Sequence, residues 1–190
     1  MISFQRHLQY FSSSTTSQQI TILSALRAGL QLGLDFPVAL FLSIGIRVLY
    51  GRTLISPVVI SSIPPHSHRT QLDTVPLDEK KRSYSARDIL ALYAQDPKAD
   101  RGLITSVLDR AHILSFWAIA ARPDHMVDAA DLKRFRQGGW ETDVVERRRG
   151  RGDVLPLWRG GPIIVRAHSW FVRRLFGVRV YERSCSWLGL

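Results

Sequence analysis

The stretch ITILSALRAGLQLGLDFPVALFLSIGIRVLY, residues 20 to 50, decides the fold, because its only charged residues are Arg27, Asp35 and Arg47. Pro37 divides this apolar segment where a straight helix would have to continue. The part between Asp35 and Arg47 is too short to cross a hydrocarbon core, which needs about 20 apolar residues. The pattern therefore predicts an apolar, membrane-associated helical hairpin that dips into one leaflet. A buried core helix kinked at Pro37 is the alternative interpretation.

Helical periodicity recurs on both sides of the hairpin, so we predict a mostly α-helical fold. The further predicted helices cover residues 2–11, 84–94, 103–121 and 129–135. Asp128 is a good N-cap for the last of them, and the glycines of QGGW are expected to end it. Four prolines predict an irregular, extended connector over residues 53–76.

The net charge of +10 implies an anionic partner, which is either nucleic acid or anionic lipid. One concentration of basic residues is the tail GPIIVRAHSWFVRRLFGVRVYERS, residues 161–184. In this tail, aromatic and apolar side chains are interspersed with arginines. Such a basic amphipathic stretch is typical of membrane-surface binding, and an ordinary solvated basic face is the alternative. Nucleic-acid binding rests on charge alone and is the weaker hypothesis.

Few side chains are candidates for chemistry. A single cysteine, Cys185, excludes an intrachain disulfide framework and a Cys-rich zinc site, and no GxSxG, P-loop or GxGxxG motif is present. RPDHMVD, residues 122–128, lacks oxygen ligands at several alternate positions and a closing Glu, so it is not predicted to be a calcium loop. The informative residues are the six histidines: His7, His66, His68, His112, His125 and His168. Taken singly, each is more typical of a structural residue than of a functional one.

Several segments in order resemble the caleosins, a family of membrane-associated haem peroxygenases of lipid bodies and endoplasmic reticulum. They are FQRHLQYF, a polar loop, LSALRAGLQLGL, the apolar hairpin, SPVVISSIPPHSH, ILALYA and MVDAADLKRFRQGGWE. The resemblance covers roughly Phe4 to Arg147. It implies one caleosin-like domain over residues 1–147, with an EF-hand-derived helical core, followed by a basic amphipathic C-terminal extension over residues 148–190.

The resemblance also implies the site residues. The family binds haem through one histidine in its first helix and one just after the proline-rich segment, and these fall on His7 and His68. His68 lies five positions after Ile63, as the family's histidine follows its isoleucine, and His66 is the alternative for this slot. His7 and His68 are thus the implied catalytic, haem-binding and iron-ligating residues. An ordinary helix histidine at the edge of an apolar face is the alternative for His7.

The departures from the family pattern concern calcium and substrate. The family's EF-hand loop corresponds here to SSSTTSQQIT, residues 12–21, which contains no carboxylate. Calcium needs several carboxylates, so we predict that calcium is absent. The expected function is a calcium-independent, haem-dependent peroxygenase that transfers oxygen from a hydroperoxide to an unsaturated lipid or similar lipophilic molecule. Its expected location is the membrane of the endoplasmic reticulum or a lipid droplet. The alternative is a non-catalytic structural protein of a lipid-droplet or membrane surface.

Overall fold

The computed structural model describes residues 2–14, 18–51, 53, 56–99, 102–149 and 154–181. The predicted mostly helical fold is confirmed. The described helices are α1 Ser3–Gln9, α2 Ile22–Gln31, α3 Phe36–Tyr50, α4 Ala86–Ala94, α5 Leu103–Ala120, α6 Ala129–Gln137, α7 Glu141–Arg148 and α8 Val165–Phe176. Short 3₁₀ turns cover Ile60–Ser62, Pro65–Ser67, Pro97–Ala99 and Leu157–Arg159.

Two pairs of very short antiparallel strands join the loops. β1, Gln19–Ile20, pairs with β2, Val58–Val59. β3, Ser83–Tyr84, pairs with β4, Val127–Asp128. A helix begins within two residues of the end of β1, β3 and β4.

The chain forms two compact units, which differ from the division predicted at residue 147. Unit 1 comprises residues 1–7 and 64–140, and unit 2 comprises residues 8–63 and 141–190. The segment after α7 thus belongs with the hairpin. Arg148 Nη1 donates a hydrogen bond to the Leu32 carbonyl, and the Tyr181 hydroxyl donates to the Gly33 carbonyl at 3.2 Å. Hydrogen bonds between such distant residues leave no signal in local periodicity.

The predicted helical hairpin of unit 2 is present as α2 and α3. A capping box between Thr21 and Ser24 starts α2, and the Asp35 carboxylate caps α3 by accepting a hydrogen bond from the Phe36 N–H at 2.9 Å. Pro37 lies in the first turn of α3, where its missing N–H would have no helical partner anyway. The proline therefore starts a second helix and does not kink a continuous one.

The core of unit 1 is built around α5. Its buried residues Asp109, Ile113, Phe116 and Ile119 form a stripe at helical spacing. Of the described helices, α5 alone is long and apolar enough to cross a membrane by length and composition. The core helix of a soluble protein meets the same criterion, and within unit 1 the Asp109 carboxylate accepts a hydrogen bond from the Thr70 N–H at 3.2 Å.

Candidate functional site

The two predicted site histidines lie against one phenyl ring in unit 1. The ring centroid of Phe4 is 6.3 Å from that of His7 and 5.3 Å from that of His68. α1 places Phe4 and His7 on one face, three residues apart, and His7 is only 8% exposed. His68 follows the 3₁₀ turn Pro65–Ser67, and its backbone N–H donates a hydrogen bond to the Pro65 carbonyl at 3.2 Å. The fold thus brings together the residues that the caleosin resemblance implies.

A third imidazole, which the sequence analysis did not assign to the site, joins these two. The His112 ring lies 5.0 Å from the His7 ring at a near-perpendicular angle and 6.1 Å from the Phe4 ring. Helical spacing could have indicated that His112 lies near the buried side of α5, because it comes three residues after Asp109 and four before Phe116. We call His7, His68 and His112, together with Phe4 and Trp140, the histidine cluster.

Aromatic rings enclose the histidine cluster. Trp140 is 2% exposed and stacks on His7, with 6.1 Å between ring centroids and 14° between planes. Phe135 lies 5.4 Å from His112 and stacks on Phe116 at 4.2 Å. These apolar surroundings disfavour the charged form of an imidazole.

His112 is neutral near pH 7. Burial, followed by smaller electrostatic effects of His7 and Arg69, holds the pKa of His112 well below its ordinary value. Its Nε2 lies 2.8 Å from the side-chain amide nitrogen of Gln71, a residue that is 2% exposed. The buried Gln71 Oε1 has no hydrogen-bond partner, so either orientation of this amide leaves one of its polar atoms available for a further group.

Buried polar bonds fix the segment that carries His68 and Gln71. Asp109 Oδ1 lies 3.6 Å from the guanidinium of Arg69, in addition to its bond from the Thr70 N–H. The Thr70 hydroxyl donates to the Asp96 carboxylate, which also accepts a hydrogen bond from Thr74 Oγ1 at 2.9 Å. The segment HRTQ, residues 68–71, is thereby tied to α5 and to the end of α4.

The other histidines lie outside the cluster's ring contacts described above. His66 is exposed in the turn before His68, and His125 adopts a left-handed conformation with φ +63° in the loop after α5. His168 belongs to unit 2, where its Nε2 is 3.5 Å from the Asp35 carboxylate.

The histidine cluster offers imidazoles, which can ligate haem iron. Within the described residues, no group of three or more His, Cys, Asp or Glu side chains could hold a metal ion. Haem iron would require fewer protein ligands than a bare ion, because one or two imidazoles suffice to hold it. His7 and His68 are the residues that would hold it, with apolar contact from Phe4 and Trp140.

The loop of the predicted degenerate EF-hand is described except for residues 15–17. Gln18 has φ +47°, the Ser13 N–H donates to the Gln19 carbonyl at 2.9 Å, and Ser24 Oγ donates to the Phe11 carbonyl at 2.8 Å. Hydroxyl and amide groups without carboxylates do not fit calcium, so its predicted absence stays a prediction from chemistry. Cys185 also lies outside the described residues.

Comparison with protein-family models, with curated proteins and with solved structures finds no match to this chain.

Proposed function

We propose that the chain is a haem-dependent peroxygenase that transfers oxygen from a hydroperoxide to a lipophilic substrate without calcium. The observation that carries the proposal is the position of His7 and His68 against the same Phe4 ring within one compact unit. The resemblance to caleosins selected these two histidines independently of the structure. Both histidines would hold the haem.

Each residue of the cluster has a defined task in this proposal. Haem, when bound, supplies the chemistry of oxygen transfer from the hydroperoxide. The Gln71 side-chain amide, 2.8 Å from His112 Nε2, orients this neutral imidazole beside His7. Trp140, which stacks on His7, shields this imidazole from water.

Unit 2 supports the membrane part of the proposal. The buried face of α3 contains Ala39, Ser43, Ile46 and Arg47. Its exposed side is apolar along the whole helix, with Phe41 79% and Val48 65% exposed. Exposed apolar surface of this extent is typical of an interaction site. We propose a membrane or lipid-droplet surface, including that of the endoplasmic reticulum, as the partner that delivers the lipophilic substrate.

α8 adds positive charge to this proposed surface. Trp170 is 69% exposed and Leu175 60% exposed, and α8 carries no acidic residue. Its exposed arginines are Arg166, Arg173 and Arg174. Exposed aromatic and apolar groups among arginines suit an anionic lipid surface. Nucleic acid is the less suitable partner, because these apolar side chains interrupt the charge.

A second candidate function is a non-catalytic protein of the same membrane surface. The exposed apolar side of α3 favours it equally, because that surface does not depend on haem.

The absorption spectrum of the purified full chain, reconstituted with haem, separates the two candidates. We expect a Soret band and hydroperoxide-dependent oxidation of an aromatic donor. His7→Val and His68→Val should each abolish haem retention, or shift the spectrum and remove oxygen transfer. His66→Val is the matched control, because His66 is an exposed neighbour of His68, and it should behave as wild type. A wild-type chain with neither band nor activity supports the non-catalytic function. Wild-type behaviour of His7→Val would make His7 an ordinary core histidine.

Membrane association is tested by an alkaline carbonate wash. Insertion of apolar side chains survives the loss of surface electrostatics, so the wild type should stay with the membrane. The double variant Phe41→Ser, Val48→Ser should be released, whereas Lys80→Ser, an exposed change in unit 1, should not. Release of the wild type would contradict the membrane proposal.

A further inference from the structure

The loop between α5 and α6 has the spacing of a calcium-binding EF-hand loop. Such a loop has twelve residues, takes ligands from its first, third, fifth, ninth and twelfth side chains, and makes a sharp turn at a glycine in the sixth position. In residues 120–131 the sixth residue is His125, whose φ of +63° is the left-handed conformation that glycine usually supplies. Asp124, Asp128 and Asp131 then occupy the fifth, ninth and twelfth positions.

RPDHMVD was not predicted to be a calcium loop, because it lacks oxygen ligands at several alternate positions and a closing Glu. The structure adds Asp131, three residues beyond that stretch, at the closing position, where its carboxylate is 2% exposed and lies 3.5 Å from Arg134 Nη1. Asp128 was predicted to cap α6, and it does lie at the N-cap, but its side chain makes no capping hydrogen bond. The Asp128 carboxylate is directed to another partner.

The partner of the Asp128 carboxylate is Arg122, a basic residue of the same loop. Arg122 Nη2 lies 3.3 Å from Asp124 Oδ2 and 3.3 Å from Asp128 Oδ1. One guanidinium nitrogen thus bridges the fifth and ninth ligand positions from the third. We infer that the Arg122 guanidinium occupies the place of the metal ion, so that residues 120–131 form a divalent-cation loop neutralised by its own side chain. Ala120 supplies no oxygen at the first position.

The loop joined to it by strand pairing uses the same device. Tyr84 of β3 pairs with Val127 of β4, so the equivalent twelve residues are 77–88, with Lys81 at the fifth position and Asp88 at the twelfth. Lys81 Nζ is 2.7 Å from Asp88 Oδ1. Two loops held together by one strand pair therefore each place a basic side chain on a carboxylate. A built-in cation makes the arrangement of α5 and α6 independent of the calcium concentration.

The protein contains a natural reporter for this site. Trp117 Nε1 donates a hydrogen bond to the His125 carbonyl at 3.1 Å, so an indole adjoins the loop. A terbium ion in the loop would receive excitation energy from that indole and emit.

The test is terbium luminescence excited through tryptophan in the full chain, with calcium as competitor. Wild type should show no saturable signal. A120D/R122D, which restores the first and third ligands and removes the guanidinium, should bind terbium saturably and release it to calcium, with a calcium Kd on the order of 10⁻⁴ to 10⁻³ M as in weak calcium sites. A120D alone is the control, and it should stay silent because Arg122 is retained. Saturable binding by wild type, equal binding by A120D, or no binding by folded A120D/R122D overturns the inference.

R122Q keeps the test decisive if the double variant does not fold, because it removes the charge and leaves buried Ala120 in place. Millimolar calcium should raise the Tm of R122Q and leave the Tm of wild type unchanged. Equal responses of the two proteins overturn the inference.

Discussion

The histidine cluster of unit 1 and helix α3 of unit 2 differ in which side chains they bury and which they expose. The cluster buries His7 and Trp140, which are 8% and 2% exposed, whereas α3 leaves Phe41 79% and Val48 65% exposed. Burial of polar groups is unfavourable unless they are bonded, and exposure of large apolar groups forgoes stabilisation. The difference favours the histidine cluster as the place for chemistry and α3 as the place for contact with an apolar surface.

A Phe→Ala substitution should lower the free energy of unfolding much more at a buried position of unit 1 than at an exposed position of unit 2. We expect this difference to be the largest of those predicted here. Phe116→Ala removes a ring that is 1% exposed and stacked on Phe135, so we expect a loss of about 3–5 kcal/mol in the free energy of unfolding. Phe41→Ala, at an exposed position of unit 2, should change it by no more than about 0.5 kcal/mol. Urea unfolding followed by circular dichroism measures both. Similar losses for the two variants would remove the contrast between the units.

Acid should destabilise unit 1 through His112. Its pKa is lowered in the folded protein, chiefly by burial and then by His7 and Arg69, from an ordinary value of 6.5. In mild acid the unfolded chain therefore binds a proton at His112 that the folded chain does not bind. The free energy of unfolding consequently falls as the pH drops below about 6.5. His112→Gln should flatten this dependence by up to about 1.4 kcal/mol per pH unit.

Urea unfolding between pH 7.5 and 5 measures this slope, with the exposed change His66→Gln as control. Burial also lowers the pKa of His168 in unit 2, against an opposing effect of Asp35, so part of the acid sensitivity should persist in His112→Gln. An unchanged slope in that variant would show that the buried imidazole of unit 1 does not control the acid response.

The smallest effect should come from the surface ion pair of Lys81 and Asp88. The hydrogen bond that Lys81 donates to the Asp88 carboxylate, and after it the hydrogen bonds from Ser85, lower the pKa of Asp88 to about 2. Lys81→Met should reduce stability at pH 7 by about 0.2–1 kcal/mol, because both side chains are partly exposed.

The pH dependence identifies this interaction. A carboxylate with a lowered pKa stabilises the fold above its unfolded pKa, and that stabilisation is lost as the pH falls toward about 2. The difference between Lys81→Met and wild type should therefore shrink from pH 7 to pH 3. Lys80→Met, an exposed neighbour, should have no such effect. A difference that stays constant with pH would exclude the ion pair as its cause.

Periodicity was sufficient to predict most of the helices but not α7. The stripe of α5 and the hairpin of α2 and α3 have long apolar patterns, and both were predicted. α7, Glu141–Arg148, has a buried pair, Val144 and Val145, among charged residues, and such a short helix gives little periodic signal. Its position depends on burial that only tertiary structure supplies.

The candidate site was predictable only in part for a related reason. The resemblance pointed to His7 and His68, whose helix and proline turn have recognisable local patterns. His112 and Gln71 come together through tertiary packing, which no motif in either segment encodes. Asp128 shows what local sequence can and cannot predict. Its position at the start of α6 was predicted correctly, but its carboxylate contacts Arg122 and does not cap the helix.

The hydrogen bond from the Tyr181 hydroxyl to the Gly33 carbonyl can form only late in synthesis of the chain. The carbonyl acceptor precedes its hydroxyl donor by 148 residues. At about 5–20 residues per second, the ribosome adds the donor roughly 7–30 s after the acceptor. The hairpin therefore emerges long before the partners of its turn, while the apolar side of α3 is already available. A nascent chain arrested before Arg148 should thus expose the apolar side of α3 while the turn carbonyls of the hairpin are still hydrated.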